Sequence, residues 1–315
     1  MFHNNKSTTM NFYRPLGLQD IVTKKCEIDK ILRLASFEPD FKYEKKADKK
    51  GRVYFDRYKF LGKGFGVNVH GFRMMDTNEQ GEEIERFEIS DWGIFAKGHA
   101  DTVASHALVD CDDSGMFYLF AEDLASKNTF ELRVNNALEL LDRYSDLRSL
   151  DHVLDYEQTL SEVDMALLMT EGTVLLPVEK SPQQQFLQSV EDQIRKELIE
   201  KSRAGDAAAE LVLAQMAQHS GAILGERLGN EDLLTVLDGY FLNMEEQTGV
   251  FYVLGDIKTV DEITNAATDE KLYCMNISAT ETMVTVYINQ KDLMGLPTAG
   301  MRLMGVGLLQ GFVTF

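Results

Sequence analysis

The chain has 315 residues, 44% hydrophobic and 26% charged, with a formal net charge of −19. That composition excludes a disordered chain, and the length is enough for two or three units with sizeable cores. The acidity is uneven: residues 1–150 carry 22 basic and 25 acidic side chains, 151–229 carry 6 and 14, and 230–315 carry 4 and 12, so the last two stretches repel phosphate backbones and anionic membrane surfaces.

Residues 1–9 (MFHNNKSTT) are polar, lack the apolar core of a secretory signal, and are expected as a disordered leader before Met10. Over 18–35, Ile21, Ile28, Ile31 and Leu32 recur at helical spacing and predict one amphipathic helix.

Residues 42–63 run against the charge of the chain, with nine Lys/Arg against Glu44, Asp48 and Asp56, and with aromatics interleaved. Basic and aromatic side chains together suit an anionic, base-bearing ligand. The nucleic-acid candidate here is Lys45, Lys46, Lys49, Lys50, Arg52, Tyr54 and Tyr58. The plainer expectation is a solvated loop over Lys45–Lys50 followed by a strand. In that strand Val53, Phe55 and Arg57 share one face, and Tyr54, Asp56 and Tyr58 the other.

Gly62, Gly64, Gly66 and Gly71 follow, but the residues after them (VNVH) alternate as a strand, so no dinucleotide fingerprint forms. The glycines are expected to permit a bulge or a close backbone crossing. His70 faces away from Val67 and Val69 as a surface or half-buried histidine, and Trp92 is expected in the core. Further strands are predicted at 87–89, 94–95, 107–109, 116–120 and 129–134, with a helix within 136–148.

The densest polar cluster is HADTVASHALVDCDD, residues 99–113. Imidazole and carboxylate suit zinc, iron or manganese, and His99 with Asp101 is the pair close enough along a strand to converge on a metal. Asp110, Asp112, Ser114 and Gly115 match the start of a calcium loop, but Ala121 stands where its bidentate Glu belongs. A polar hairpin turn is the better reading.

Ser181-Pro182 opens a capped helix, with Phe186, Val190, Ile194 and Leu198 on one stripe, and Asp206 caps a second. The pattern predicts a helical hairpin over 179–229 that packs or dimerises. Beyond it, strands near 240–244 and at 250–257, 271–278, 282–288 and 303–313 fit a small OB-like barrel.

The expected fold class is therefore α+β: an α+β domain at 10–178 built on a mainly antiparallel sheet, a central hairpin at 179–229, and a small barrel domain at 230–315. Cys26, Cys111 and Cys274 are widely spaced, with no CxxC pair, which fits a reducing, cytoplasmic setting. The longest apolar tract, Leu303–Val313, is too short to span a bilayer, so no membrane association is expected.

Several segments in order resemble a bacterial family of similar length classed as a domain of unknown function. They are FYRPLGL at Phe12–Leu18, the Gly62–Phe72 run, His99-Ala100-Asp101 with Cys111-Asp112-Asp113, and GTVLLP at Gly172–Pro177. The order continues with Asn230–Tyr240, Val253–Ile257, Val286–Gly295 and Leu309-Gln310-Gly311. The resemblance implies a bacterial cytoplasmic protein and no particular reaction. The leading functional expectation is a non-catalytic cytoplasmic binding or scaffold protein with a protein partner, no cofactor, and self-association through the hairpin. The alternatives are a nucleic-acid binder using 42–63, which the net charge disfavours, and a metal-dependent enzyme centred on His99 and Asp101.

Overall fold

A computed structural model describes residues 11–45, 48–78, 80–98, 101–111, 116–123, 128–143, 154–156, 161–177, 239–244, 247–280 and 282–314, with scattered positions between 190 and 212. The side chains of 101–111, 154–156 and 161 are not among those described. The chain forms two compact units: Met1–Leu175 with Gly239–Phe315, and Leu176–Asp238.

The first unit opens with two short helices, α1 (Gln19–Val22) and α2 (Lys25–Phe37). They replace the single helix expected over 18–35. The break falls where Lys24 adopts an extended backbone and the Thr23 hydroxyl donates to the Asp20 carbonyl. A four-stranded antiparallel sheet follows in the order β1 (Phe41–Glu44), β2 (Val53–Gly62), β3 (Phe65–Thr77) and β4 (Glu83–Ala96). Gly64, at φ 81°, turns β2 into β3. On one face Phe55, Val67 and Val69 pack with Ile28, Ile31 and Ala35 of α2. In the middle of β2, Phe55, Asp56, Arg57 and Tyr58 are all buried, so neither row is an open sheet surface.

The second sheet has eleven strands: β5 (Asp101–Cys111), β6 (Phe117–Asp123), β7 (Thr129–Val134), β8 (Leu154–Tyr156), β9 (Ser161–Leu175), β10 (Tyr240–Asn243), β11 (Val250–Thr264), β12 (Lys271–Ala279), β13 (Thr282–Asn289), β14 (Leu293–Met294) and β15 (Arg302–Thr314). Its path runs β10-β11-β12-β13-β9-β15-β7-β6-β5-β8, with β14 beside β9 and further pairings β11–β15 and β9–β5. The sheet is mixed, because β13–β9, β14–β9 and β15–β7 are parallel.

This corrects the expected fold class. The described chain is dominated by strands in two large sheets rather than being α+β, and the C-terminal strands do not make a small OB-like barrel. The reason is β9. Its apolar residues are buried on both faces: Met165, Leu167 and Met169 join one core cluster, while Ala166 and Leu168 join the other. Such a strand needs partners on both edges, and it takes them from the far end of the sequence by inserting between β13 and β15. No central helical hairpin stands among the described elements either. Most of 179–229 lies outside the described residues, although Asp206 does accept from the amides of Ala208 and Ala209, as its capping position predicts. Residues 1–9 also lie outside them.

A last helix, α3 (Ala137–Arg143), follows β7 directly. Asn136 ties its start to β15: the Nδ2 donates to the Val313 carbonyl at 2.8 Å, and the Oδ1 accepts the Val313 amide at 3.0 Å. This clamp holds α3 and the end of β7 against the second face of the four-stranded sheet, where Tyr43 of β1 donates its hydroxyl to Asp142 at 2.6 Å. No helix among the described residues is long and apolar enough to cross a membrane.

Candidate functional site

The second face of the four-stranded sheet carries a polar row formed by strand register. Asp56 on β2 stands opposite His70 on β3, and His70 stands opposite Asp91 on β4. One pair along, Tyr58, Asn68 and Gly93 line up across the same strands. A bulge between His70 and Gly71 sets this register by leaving Ser90 unmatched.

The side chains form a chain of contacts. Asp56, only 2% exposed, meets His70 Nδ1 at 2.7 Å, and Asn68 Nδ2 meets His70 Nε2 at 2.8 Å. With the amide nitrogen donating to Nε2, the ring proton sits on Nδ1 and is donated to Asp56. The other end of that amide, Asn68 Oδ1, is buried without a hydrogen-bond partner. It lies over Gly93, next to the guanidinium of Arg133 from β7. A Cβ at residue 93 would stand 2.8 Å from Arg133 Nη2 and 3.0 Å from Asn68 Oδ1. The glycine therefore makes room for both groups.

Two adjoining cavities open here, both with Met116 and Arg133 in their walls. One, of about 260 Å³, is lined by Asp56, Asn68, His70, Asp91 and apolar residues of α3. The other, of about 460 Å³, is lined by Phe12, Tyr13, Gln19, Trp92 and Gly93. Volumes of this order suit a small molecule. The Tyr13 and Trp92 rings stand 5.6 Å apart along its wall. Behind the site, the Tyr58 hydroxyl donates to the Asn135 carbonyl at 2.8 Å, and burial pushes the Tyr58 phenol far up. Burial and the bond to Asp142 push Tyr43 up to about 12. Both phenols are neutral struts between the sheet and the β7–α3 segment.

Gln310 of β15 belongs to the same neighbourhood. It is fully buried, neither amide atom has a hydrogen-bond partner, and its parallel register partner on β7 is Arg133. Of four buried side-chain atoms without partners among the described residues, three belong to Asn68 and Gln310.

The residues singled out from sequence fall in several places. Lys45 pairs with Asp142 at 3.2 Å. Lys49 and Lys50 are exposed, and Lys46 lies outside the described residues. Arg52 pairs with Asp48 at 2.8 Å and lies over the Tyr54 and Phe72 rings, at 5.4 and 5.5 Å. Tyr58 is 2% exposed and is the one member that joins the polar row. His99 lies outside the described residues, as do Asp112–Gly115 of the calcium-like loop. Asp101 begins β5 opposite Asp164, and only its backbone is described. Among the described residues, no group of three or more His, Cys, Asp or Glu side chains is placed to hold a metal.

Sequence reasoning put His70 on the face opposite Val67 and Val69, and half-buried is how the structure shows it. It missed Asn68, Asp91, Gly93, Arg133 and Gln310 as neighbours. Alternation marks faces, but no local pattern reports that β7 and β15 close over β3 and β4.

A sequence model of the family described as "Domain of unknown function, E. rectale Gene description (DUF3881)" matches residues 13–311. The chain belongs to this family. The DUF3881 match takes in the four-stranded sheet and the site residues Tyr13, Asn68, Gly93, Arg133 and Gln310. The chain is also 35% identical over 100 residues to Origin of replication complex subunit 1A of Arabidopsis thaliana, a stretch that makes up 31% of this chain and 12% of that protein. No solved structure matches the DUF3881 chain.

Proposed function

We propose that this DUF3881 protein is a cytoplasmic, non-catalytic binding protein that takes a small molecule between its four-stranded sheet and the β7–α3 segment. One observation carries the reading: Asn68, whose Oδ1 is buried without a partner, lines a cavity together with His70 and Arg133. An unmet buried acceptor costs about 1–3 kcal/mol, and a ligand that satisfies it recovers that cost only when bound. His70 supports binding rather than proton transfer. Both ring nitrogens are engaged, by Asp56 and by Asn68, so the imidazole holds the wall in shape. The free thiols of Cys26 and Cys274 support a reducing compartment.

The test is a thermal-shift screen of the full chain against a library of small polar aromatic compounds, repeated on Gly93→Ala. A ligand at 100 times its Kd stabilises the folded state by about 2.7 kcal/mol. The expected result is a stabilising compound whose effect disappears in Gly93→Ala, with the circular dichroism of the variant unchanged. Equal stabilisation of both proteins, or no stabilising compound, overturns the reading.

A further inference from the structure

We infer that the open edge of β4 over residues 83–89 is a docking site for an extended, basic segment of a protein partner, which adds itself to the four-stranded sheet as a fifth strand. The inference is independent of the small-molecule reading above.

β4 is an edge strand: it pairs with β3 on one side, and among the described residues no strand pairs with it on the other. The register says which backbone groups lie open. The Lys97 amide donates to the Gly64 carbonyl and the Asn78 amide to the Glu82 carbonyl, so residues 97 and 82 turn polar groups toward β3. In an antiparallel ladder that direction alternates along the strand. Counted from the two ends to the bulge at Ser90, the outward amides and carbonyls are those of Glu83, Glu85, Phe87 and Ile89, then of Trp92, Ile94 and Ala96.

The second group is covered. The Asp91 carboxylate takes the Trp92 amide at 2.8 Å, Asn135 Nδ2 donates to the Ala96 carbonyl at 3.4 Å, and residues 93–96 are buried. The first group is not. Every residue from 83 to 91 except Phe87 is exposed, and the open stretch is about 20 Å long at ~3.4 Å per residue. The opposite edge of the sheet shows the usual protection: β1 has four residues, and its Tyr43 and the following Lys45 are tied to Asp142 of α3.

The side chains along the edge choose the occupant. Residues 82–91 hold Glu82, Glu83, Glu85, Glu88 and Asp91 against Arg86 alone. Arg86 pairs with Asp76 and Glu85 with Arg73, while Glu83 and Glu88 have no ion-pair partner among the described residues. A second copy of the chain sets this acidic strand against itself, and like charges facing each other across a strand pair are destabilising. The same charges attract a basic segment. On the α2 face the outward row reads Glu83, Glu85, Phe87, Ile89. Ile89 is 43% exposed, and the exposed Phe37 ring of α2 stands 5.7 Å from that of Phe87. A strand running antiparallel to β4 meets the apolar half first and the acidic half second. It therefore carries apolar and then basic side chains at alternate positions, with main-chain hydrogen bonds supplying the pairing.

The experiment is a fluorescence-anisotropy titration of the full chain with a labelled peptide of that pattern, VTFTKTK. Beside it run the charge-reversed VTFTETE, and VTFTKTK methylated on the amide nitrogens of its Phe and first Lys, which face β4 in this pairing. Saturable binding of VTFTKTK is expected, with both comparison peptides on the order of tenfold weaker. Ile89→Pro deletes an outward amide without removing a bond to β3, and should weaken VTFTKTK by a similar factor. The methylated peptide needs no variant, so that comparison stands even where Ile89→Pro fails to fold. Absence of binding, or equal binding of the charge-reversed or methylated peptide, overturns the inference. A chain that sediments as a dimer and becomes monomeric in Ile89→Pro overturns it in favour of a second copy at this edge.

Discussion

Asp56 and His70 are backbone partners on β2 and β3, and their side chains meet at 2.7 Å with the carboxylate almost wholly buried. The imidazole satisfies a carboxylate that has been taken out of water, and in turn receives the Asn68 amide. Stability and site geometry therefore share one set of contacts. His70→Ala removes the partner and leaves Asp56 buried, which costs about 1–3 kcal/mol or more for a charged group. Urea denaturation should show a lower midpoint, and Asp56→Asn/His70→Ala should recover part of the loss because the buried charge is gone.

Gln310 makes the opposite prediction. Both amide atoms are buried without partners, so a side chain of similar shape without them relieves a cost. Gln310→Met should stabilise the ligand-free protein by about 1–3 kcal/mol. A raised melting temperature checks it, and an unchanged or lowered one means the amide is satisfied in solution.

Two glycines of the same sheet should respond very differently to alanine. At Gly66 the added Cβ falls on the carbonyl of Lys59, which is backbone in a paired strand and cannot yield. At Gly93 it meets the far ends of two side chains rather than backbone. Gly66→Ala should cost about 3 kcal/mol and Gly93→Ala distinctly less, within the overpacking range. Chemical denaturation of both variants gives the comparison.

The cysteines provide a test of pH dependence. Burial pushes the Cys274 thiol up to about 11 from its ordinary 9.0. An acid held neutral in the fold contributes stability that is complete below its unfolded value and is lost as pH rises through the folded one. Cys274 should therefore weaken the fold between about pH 9 and 11, and Cys274→Ala should flatten that part of a melting-temperature profile. At pH 8, mapping of iodoacetamide-labelled peptides should find Cys26, which is exposed, modified and Cys274 protected.

Much of the strand pattern was legible. The segment TFELRV is β7 from end to end, and the strands expected at 271–278, 282–288 and 303–313 are β12, β13 and β15 to within a residue or two. The glycine run was legible as a close crossing, which Gly66 makes against Lys59. The helix within 136–148 is present as α3 over Ala137–Arg143. No strand was expected over 161–175, where β9 runs. An apolar stretch buried on both faces lacks the alternation that marks a half-buried strand.

The candidate site was legible only in fragments. His70 and Tyr58 could be assigned to faces, while Arg133, 63 residues further along the chain from His70, had no local signal tying it to them.

The sequence by itself determined which residues alternate, where the backbone turns and which rows must be buried, because these follow from the two-residue period of a strand and from glycine's missing side chain. Only the tertiary structure decided that β9 would enter between β13 and β15, and that β7 would bring Arg133 over Gly93 beside Asn68. Strand pairing joins backbone groups that any residue carries, so partners are chosen by how whole faces pack rather than by local pattern. The site exists where those choices meet.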